Sequence, residues 1–294
     1  MEQDLYFASD AQAKKYEVRR KVRLVFVYLV LAIFALFTLI PFYWMIATSF
    51  KMEEEVVRIP ATFIPLKPTF DNYLNVFAGE NKILLRYIGN TVFVGVLTTV
   101  IQVVITILAA FAFSRLEFKG RDAIFGLLLT TMMVPGEMMV MTNFTTIANL
   151  NWLDTYQALV IPFVASVFYI FFLRQNFKQI PNELYYAAKV DGNSDFNYLW
   201  KVMIPIARSS IITITILAMI GSWNAYIWPR TVCNDYEMKL VTDGLMTLFQ
   251  SDTGGISDHI IMAGTTVVSL PLLIAFACFK KYIMRGVARS GIKG

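Results

Sequence analysis

The sequence predicts an all-α, polytopic membrane protein whose chain crosses the bilayer six times. Three observations lead there. Of 294 residues, 57% are hydrophobic and only 16% charged, where soluble domains carry about 25% charged residues. A chain this apolar cannot hide its surface inside one water-soluble globule, and its mean hydropathy is +0.57. The charges are also missing from whole windows, each near the ~20 residues that span a hydrocarbon core about 30 Å thick. Finally, basic residues gather in alternate connections, as six crossings with both termini on one side require.

The N-terminal stretch 1–23 holds six Lys and Arg. Span one, 24–50, carries no charge. It exceeds the apolar stretch of a signal peptide, about 7–15 residues, and reads as a retained helix. The segment 51–86, punctuated by Pro60, Pro65 and Pro68, is too short for an independent domain. Span two, 87–114, is again charge-free. Span three, 123–148, contains a single acid, Glu137, just after Pro135-Gly136, a pair that interrupts a helix. Spans four, five and six are expected at about 155–174, 209–229 and 259–280, with His259 interfacial at the edge of the last. The six-span domain thus occupies 24–284, and a basic tail covers 285–294. Nineteen of the 26 Lys and Arg lie in 1–23, 115–121, 174–208 and 280–294. Those segments are expected in the cytoplasm. The net charge of +5 therefore follows topology and does not point to nucleic acid. Two cysteines, Cys233 and Cys278, and one histidine exclude a disulfide scaffold, a cysteine zinc site and a multi-histidine centre.

The connection between spans four and five, 179–208, is the most informative segment. Asn182 is a plausible N-cap with Glu183 in the first turn. A short helix then runs to Val190, Asp191-Gly192 stops it with a left-handed residue, Ser194 caps a second helix, and Pro205 closes the unit. Ala187 and Ala188 let a partner backbone approach. Leu184, Tyr185, Tyr186, Phe196 and Trp200 offer apolar and aromatic anchors for a groove. An amphipathic connector lying on the lipid interface has the same composition.

The spacing Ala187-Ala188-x-x-Asp191-Gly192, followed by Val202-x-Ile204-Pro205, resembles the EAA loop of binding-protein-dependent ABC importer permeases. The family's usual glutamate is replaced by Tyr186, with Glu183 nearby. Pro41 to Lys51, Asn72-Tyr73, Ala109 to Arg115, Trp223-Asn224-x-Tyr226-x-Trp228-Pro229 and Gly286 to Gly294 resemble stretches of the smaller six-span permease of maltose- and glycerol-phosphate-type systems. The resemblance implies a sugar importer in the bacterial cytoplasmic membrane. It implies a second permease, two ATPase subunits and an extracellular or periplasmic solute-binding protein as partners. ATP and Mg would be bound by the ATPases and no cofactor by this chain, which has no Gly-x-x-x-x-Gly-Lys-Ser/Thr loop. Glu183, Tyr186, Ala187, Ala188, Asp191, Gly192, Phe196 and Pro205 would couple to the ATPase, and Gly291, Lys293 and Gly294 would reach it from the tail. A tail bound to anionic headgroups is the other reading of that segment.

Within the spans, Trp223 and Asn224 are candidates for the solute path, a ring face for sugar C–H groups beside an amide for hydroxyls. Glu137 is a third candidate, for a cavity or an intersubunit contact. Tyr226 and Trp228 are expected in the interfacial aromatic belt. A permease for an amino acid, a peptide or a polyol phosphate is the first alternative. A stand-alone carrier is the second, and carriers usually place ionisable groups along their path.

Overall fold

The computed structural model describes residues 10–78, 83–249 and 258–291, and among them every regular element is helical. The first helix, α1 (Asp10–Ser49), is followed by two short helices, α2 (Glu53–Val56) and α3 (Asp71–Asn75), in the 51–78 segment. Then comes α4 (Ile83–Arg115), which has no proline and runs unbroken for 33 residues, about 50 Å at 1.5 Å per residue. Among the described residues four helices are long and apolar enough to cross a membrane: Lys14–Ser49, Ile83–Arg115, Tyr156–Lys178 and Asp258–Lys280. Two bent pairs bring the number to as many as six.

Three of the expected spans depart from continuous helices. The window 123–148 is not one rod. It consists of α5 (Arg121–Thr131), a 3₁₀ turn at Gly136–Met139 and α6 (Val140–Asn149), bent by 84°. Pro135 enters the turn extended, at φ −60° and ψ 128°, and cannot donate a helical hydrogen bond. The window 209–229 is cut short too. Its helix, α12 (Arg208–Trp223), stops at Trp223, Asn224 closes it, and α13 (Ile227–Val232) restarts after the gap. Span four is also irregular, built from α7 (Tyr156–Val160), a 3₁₀ turn over Ile161–Phe163 and α8 (Val167–Lys178). Thr155 and Ser166 cap α7 and α8 by accepting from Ala158 N and Tyr169 N. The remaining helices are α9 (Asn182–Val190), α10 (Asp195–Tyr198), α11 (Ile204–Ile206), α14 (Val241–Phe249) and α15 (Asp258–Gly291).

Helix α4 is the mast of the fold. It packs on α8, α12 and α14, while α1 lies along α15. Ala110 and Phe111 enter one buried cluster with Leu173, Phe177, Tyr198 and Met203. Val94 enters a second with Leu159, Trp228 and Val232. Leu84 and Tyr87 enter a third with Trp223, Val241 and Ala263. At one end α4 is tied by Asn90, whose Nδ2 donates to Glu237 O and Lys239 O while its Oδ1 accepts from Tyr156. At the other end it is tied by Arg115. Trp228 is buried in the second cluster and donates its indole N–H to Ala158 O at 2.9 Å. Trp228 thus packs inside the fold, with its indole N–H satisfied by a carbonyl. His259 is likewise buried.

The candidate functional site: a helical hook and a polar cavity

The hook comprises α9, α10, a π turn at Leu199–Met203 and α11. Its first turn differs from expectation. Asn182 is the first helical residue and does not cap α9, because its Oδ1 accepts from Arg115 Nη1 at 2.9 Å. The same guanidinium donates to Phe177 O at 2.8 Å and to Ile180 O. Arg115 thus satisfies carbonyls left over at the C-terminal end of α8 and pins the start of α9 with one planar fork. The far end of α9 is a Schellman turn. Gly192 N donates to Lys189 O at 3.0 Å and Asn193 N to Ala188 O at 2.9 Å, with Gly192 at φ +76°. Ser194 then caps α10 by accepting from Asn197 N. Pro205 lies in α11, just past the π turn, and the chain bends by 81° between Asp195–Ile206 and α12.

Cross-ties make α9 and α10 one body. Asp195 Oδ1 accepts from Tyr185 Oη and from Lys189 Nζ, both at 2.7 Å, and the Tyr185 and Tyr198 rings meet edge-on at 5.1 Å. Burial and the Asp195 contact raise the Tyr185 hydroxyl pKa above its usual value. The bond to Asp195 raises that of the Lys189 ammonium. Tyr185 is therefore a joint between α9 and α10. Ala188 also turns inward, onto the Leu173–Tyr198 cluster. The outward stripe of α9 is Glu183, Tyr186, Ala187 and Val190, spaced as one helix face, with Asp191 and Gly192 at its tip. Phe196 and Trp200 stand beside it, 61% and 56% exposed. Sequence reasoning missed Val190, 88% exposed, and the anchoring role of Arg115, which makes its bonds 62–67 residues away in sequence.

Substituting Gly192 by valine is expected to weaken this turn by about 1–3 kcal/mol, because a β-branched residue is strained at positive φ. Nothing lies within 4 Å of a Cβ placed there, so the effect would be conformational and not a clash. Asparagine, which tolerates this region, should retain most function. Equal transport by the valine and asparagine variants would count against a role for the turn.

Among the path candidates, Trp223 is 6% exposed and packed in the third cluster, and its indole N–H has no acceptor among the described residues. It borders an apolar cavity of about 320 Å³ between α12 and α15. Asn224 is exposed, and its side chain donates to Ile220 O. Glu137 is exposed in the 3₁₀ turn. The structure does not bring these three together. A different constellation comes together instead. Thr98 and Gln102 of α4 and Ser222 line a cavity of about 200 Å³, walled also by Phe163, Gly221 and Ala225. The Thr98 hydroxyl is buried without a partner among the described residues, and Gln102 donates to Phe163 O at 2.7 Å. Two helix interruptions, after Phe163 and after Trp223, border this cavity. Irregular backbone at membrane depth is tolerated where it is buried in protein or lines a cavity. Gly291 ends α15, while Lys293 and Gly294 lie outside the described residues. Among the described residues no group of His, Cys, Asp and Glu is placed to hold a metal.

Long apolar helices around broken ones, with a polar hook at one end, are the build of a multi-pass membrane transport subunit. The chain belongs to the family described as binding-protein-dependent transport system inner membrane component, whose model matches residues 102–289. It is 32% identical to the trehalose/maltose transport system permease protein MalG of Thermococcus litoralis, over 95% of this chain and 99% of that one. It is 31% identical to the arabinooligosaccharides transport system permease protein AraQ of Bacillus subtilis, over 88% and 92%. Its fold matches a chain in the crystal structure of a bacterial ABC transporter involved in import of the acidic polysaccharide alginate, with a TM-score of 0.81 at 24% identity, over 94% and 99%.

Proposed function

We propose that the chain is one of two permeases of an ATP-driven importer for a neutral sugar or oligosaccharide, crossing the cytoplasmic membrane six times with both termini in the cytoplasm. In this reading the hook at 179–208 is the coupling element. Its stripe of Glu183, Tyr186, Ala187 and Val190 seats in a cleft of an ATPase subunit that holds ATP and Mg, with Phe196 and Trp200 flanking the contact. A solute-binding protein delivers the sugar on the other side. One observation carries the coupling role: the hook is a rigid body, tied by Arg115 to α4 and through its cluster to α8 and α12. A push on α9 is therefore a push on three apolar helices. Closure of the paired ATPases would tilt them between inward- and outward-facing arrangements.

The solute class rests on the names of the relatives and on the cavity wall. Thr98, Gln102 and Ser222 offer neutral hydrogen-bonding groups, and no Lys, Arg, Asp or Glu lines that cavity. Such a wall suits hydroxyl groups and leaves an anionic solute without a counter-charge. In this reading Asn224 and Glu137, exposed on this chain, face the second permease or the path between the two, and Trp223 packs behind them in the third cluster.

Coexpression with its neighbouring transport genes tests the reading. A complex of two permeases and two ATPases, with uptake that needs ATP, is the expected outcome. A chain that purifies alone and carries solute without nucleotide would refute it. Thr98→Val tests the path. It keeps the shape and removes a hydroxyl that bonds nothing among the described residues, so assembly should be unchanged. The apparent KM should rise about fivefold, the equivalent of one hydrogen bond of about 1 kcal/mol. An unaltered KM for every transported sugar would remove the cavity from the path.

A further inference from the structure

Three apolar helices end at the hook, and each brings a cation to the same cleft. Arg115 is the last residue of α4, Arg121 the first of α5 and Lys178 the last of α8. Together with Asn182 and Tyr186 of α9 they line a cavity of about 850 Å³. The charges around it do not balance. Asp195 is taken by Lys189. Asp122 is shared between Arg121 and Arg174, each at 3.1 Å. Arg115 is 7% exposed and donates only to uncharged oxygens, and its Nε, like that of Arg121, has no acceptor among the described residues. The Lys178 ammonium has no hydrogen-bond or salt-bridge partner among the described residues. Against Arg115, Lys178 and the surplus cation of the Asp122 group stands, beside the paired Asp195, one acid on the wall among the described residues, Glu117. A guanidinium this buried is expensive without a counter-charge, so the cleft is built for an anion.

We propose that this anion is the phosphodiester of one acidic phospholipid of the inner leaflet, lodged between the ends of α4, α5 and α8 and the coupling helix. The inference rests on the cytoplasmic placement of the hook argued above. The depth of the site favours a lipid over a soluble anion. Its cations terminate hydrocarbon-spanning helices, which is the level of the headgroups, and basic pockets between helices on that side suit anionic lipid. Leu116 and Phe118, the latter 42% exposed, form an apolar part of the wall where the glycerol and first methylenes can lie. The bound headgroup touches the same guanidinium that holds Asn182. Leaflet composition therefore bears directly on how firmly the hook is seated.

The experiment uses the assembled importer. The complex is purified from detergent, and its bound phosphatidylglycerol is counted by native mass spectrometry. In parallel, ATP-driven uptake is compared in phosphatidylcholine vesicles with and without phosphatidylglycerol. Wild-type complex should retain the lipid and work faster in the mixed vesicles. Lys178→Gln should retain it about fivefold less, the share of one basic residue at the surface, and lose the acceleration, while Lys178→Arg keeps both. Arg121→Gln provides a second reading of the same loss should the lysine variant fail to assemble. Equal retention by wild type and both glutamine variants overturns the proposal. So does displacement of the lipid by millimolar inorganic phosphate, which makes the ligand a soluble anion, or a crosslink from position 178 to an ATPase carboxylate, which makes the counter-charge a protein. Protease accessibility of the hook from the outside would overturn the orientation itself, and is read separately from lipid retention.

Discussion

An Arg115→Ala importer is expected to lose coupled transport. The side chain makes three charge-assisted bonds, to Phe177 O, Ile180 O and Asn182 Oδ1, in a place where water has little access. Truncation strands those acceptors at about 1–3 kcal/mol each. The combined loss, on the order of 3–9 kcal/mol, would fall on the short joint between α8 and α9. The cluster of Leu173, Phe177 and Tyr198 would still hold the hook loosely, so the chain should insert while α9 loses its fixed direction. Copurification with the ATPases should fall, and solute-stimulated ATP hydrolysis should fall further. Arg115→Lys should rescue only part, because a point charge cannot fork to three acceptors. Wild-type uptake and an unchanged melting temperature in the alanine variant would show that Arg115 does not carry the joint.

The second large effect is expected at Gly244, where α14 crosses α4. A Cβ built there overlaps the ring of Tyr87, which is fully buried and has nowhere to turn. Gly244→Val must push α14 away. That strains the bond from Val241 N to Thr91 Oγ1 at 2.8 Å and the Asn90 bridge to Lys239 O. Overpacking of this kind costs about 1–3 kcal/mol, and more where the obstacle is a rigid ring. The purified complex should melt several degrees lower with alanine and fail to accumulate with valine. Pairing Gly244→Ala with Tyr87→Leu should recover part of the loss, since residues in contact do not add independently. An alanine variant that melts with the wild type would refute the close approach.

The sequence made the apolar windows legible because excluding charge from hydrocarbon is a large term, visible without partners. The tip of the hook was legible for a different reason: Gly192 and Ser194 act through bonds three to five residues long. What escaped depends on distant neighbours. Asn182 looked like a cap until Arg115, 67 residues earlier, claimed its oxygen. Nothing near Trp228 in sequence announces its carbonyl partner, Ala158, 70 residues away. Pro135 marked the break in the third window, but nothing local marked the end of α12 at Trp223. The polar cavity was overlooked because the windows were searched for charge, and Thr98 and Gln102 carry none. A tally of hydroxyls and amides in the 87–114 stretch would have found them, since both are buried in an otherwise hydrocarbon-compatible helix.

Helix α4 is both unkinked and clamped at its two extremities, by Asn90 and Thr91 near one and Arg115 at the other. A rod about 50 Å long, swung by some 10° around its midpoint, displaces each tip by about 4 Å in opposite senses. In the proposed importer, nanometre-scale gearing of this sort would let events at the nucleotide side be read by the solute receptor without any relay of small side-chain shifts between them. Inserting a proline halfway along the rod would disengage the two faces while leaving each one intact.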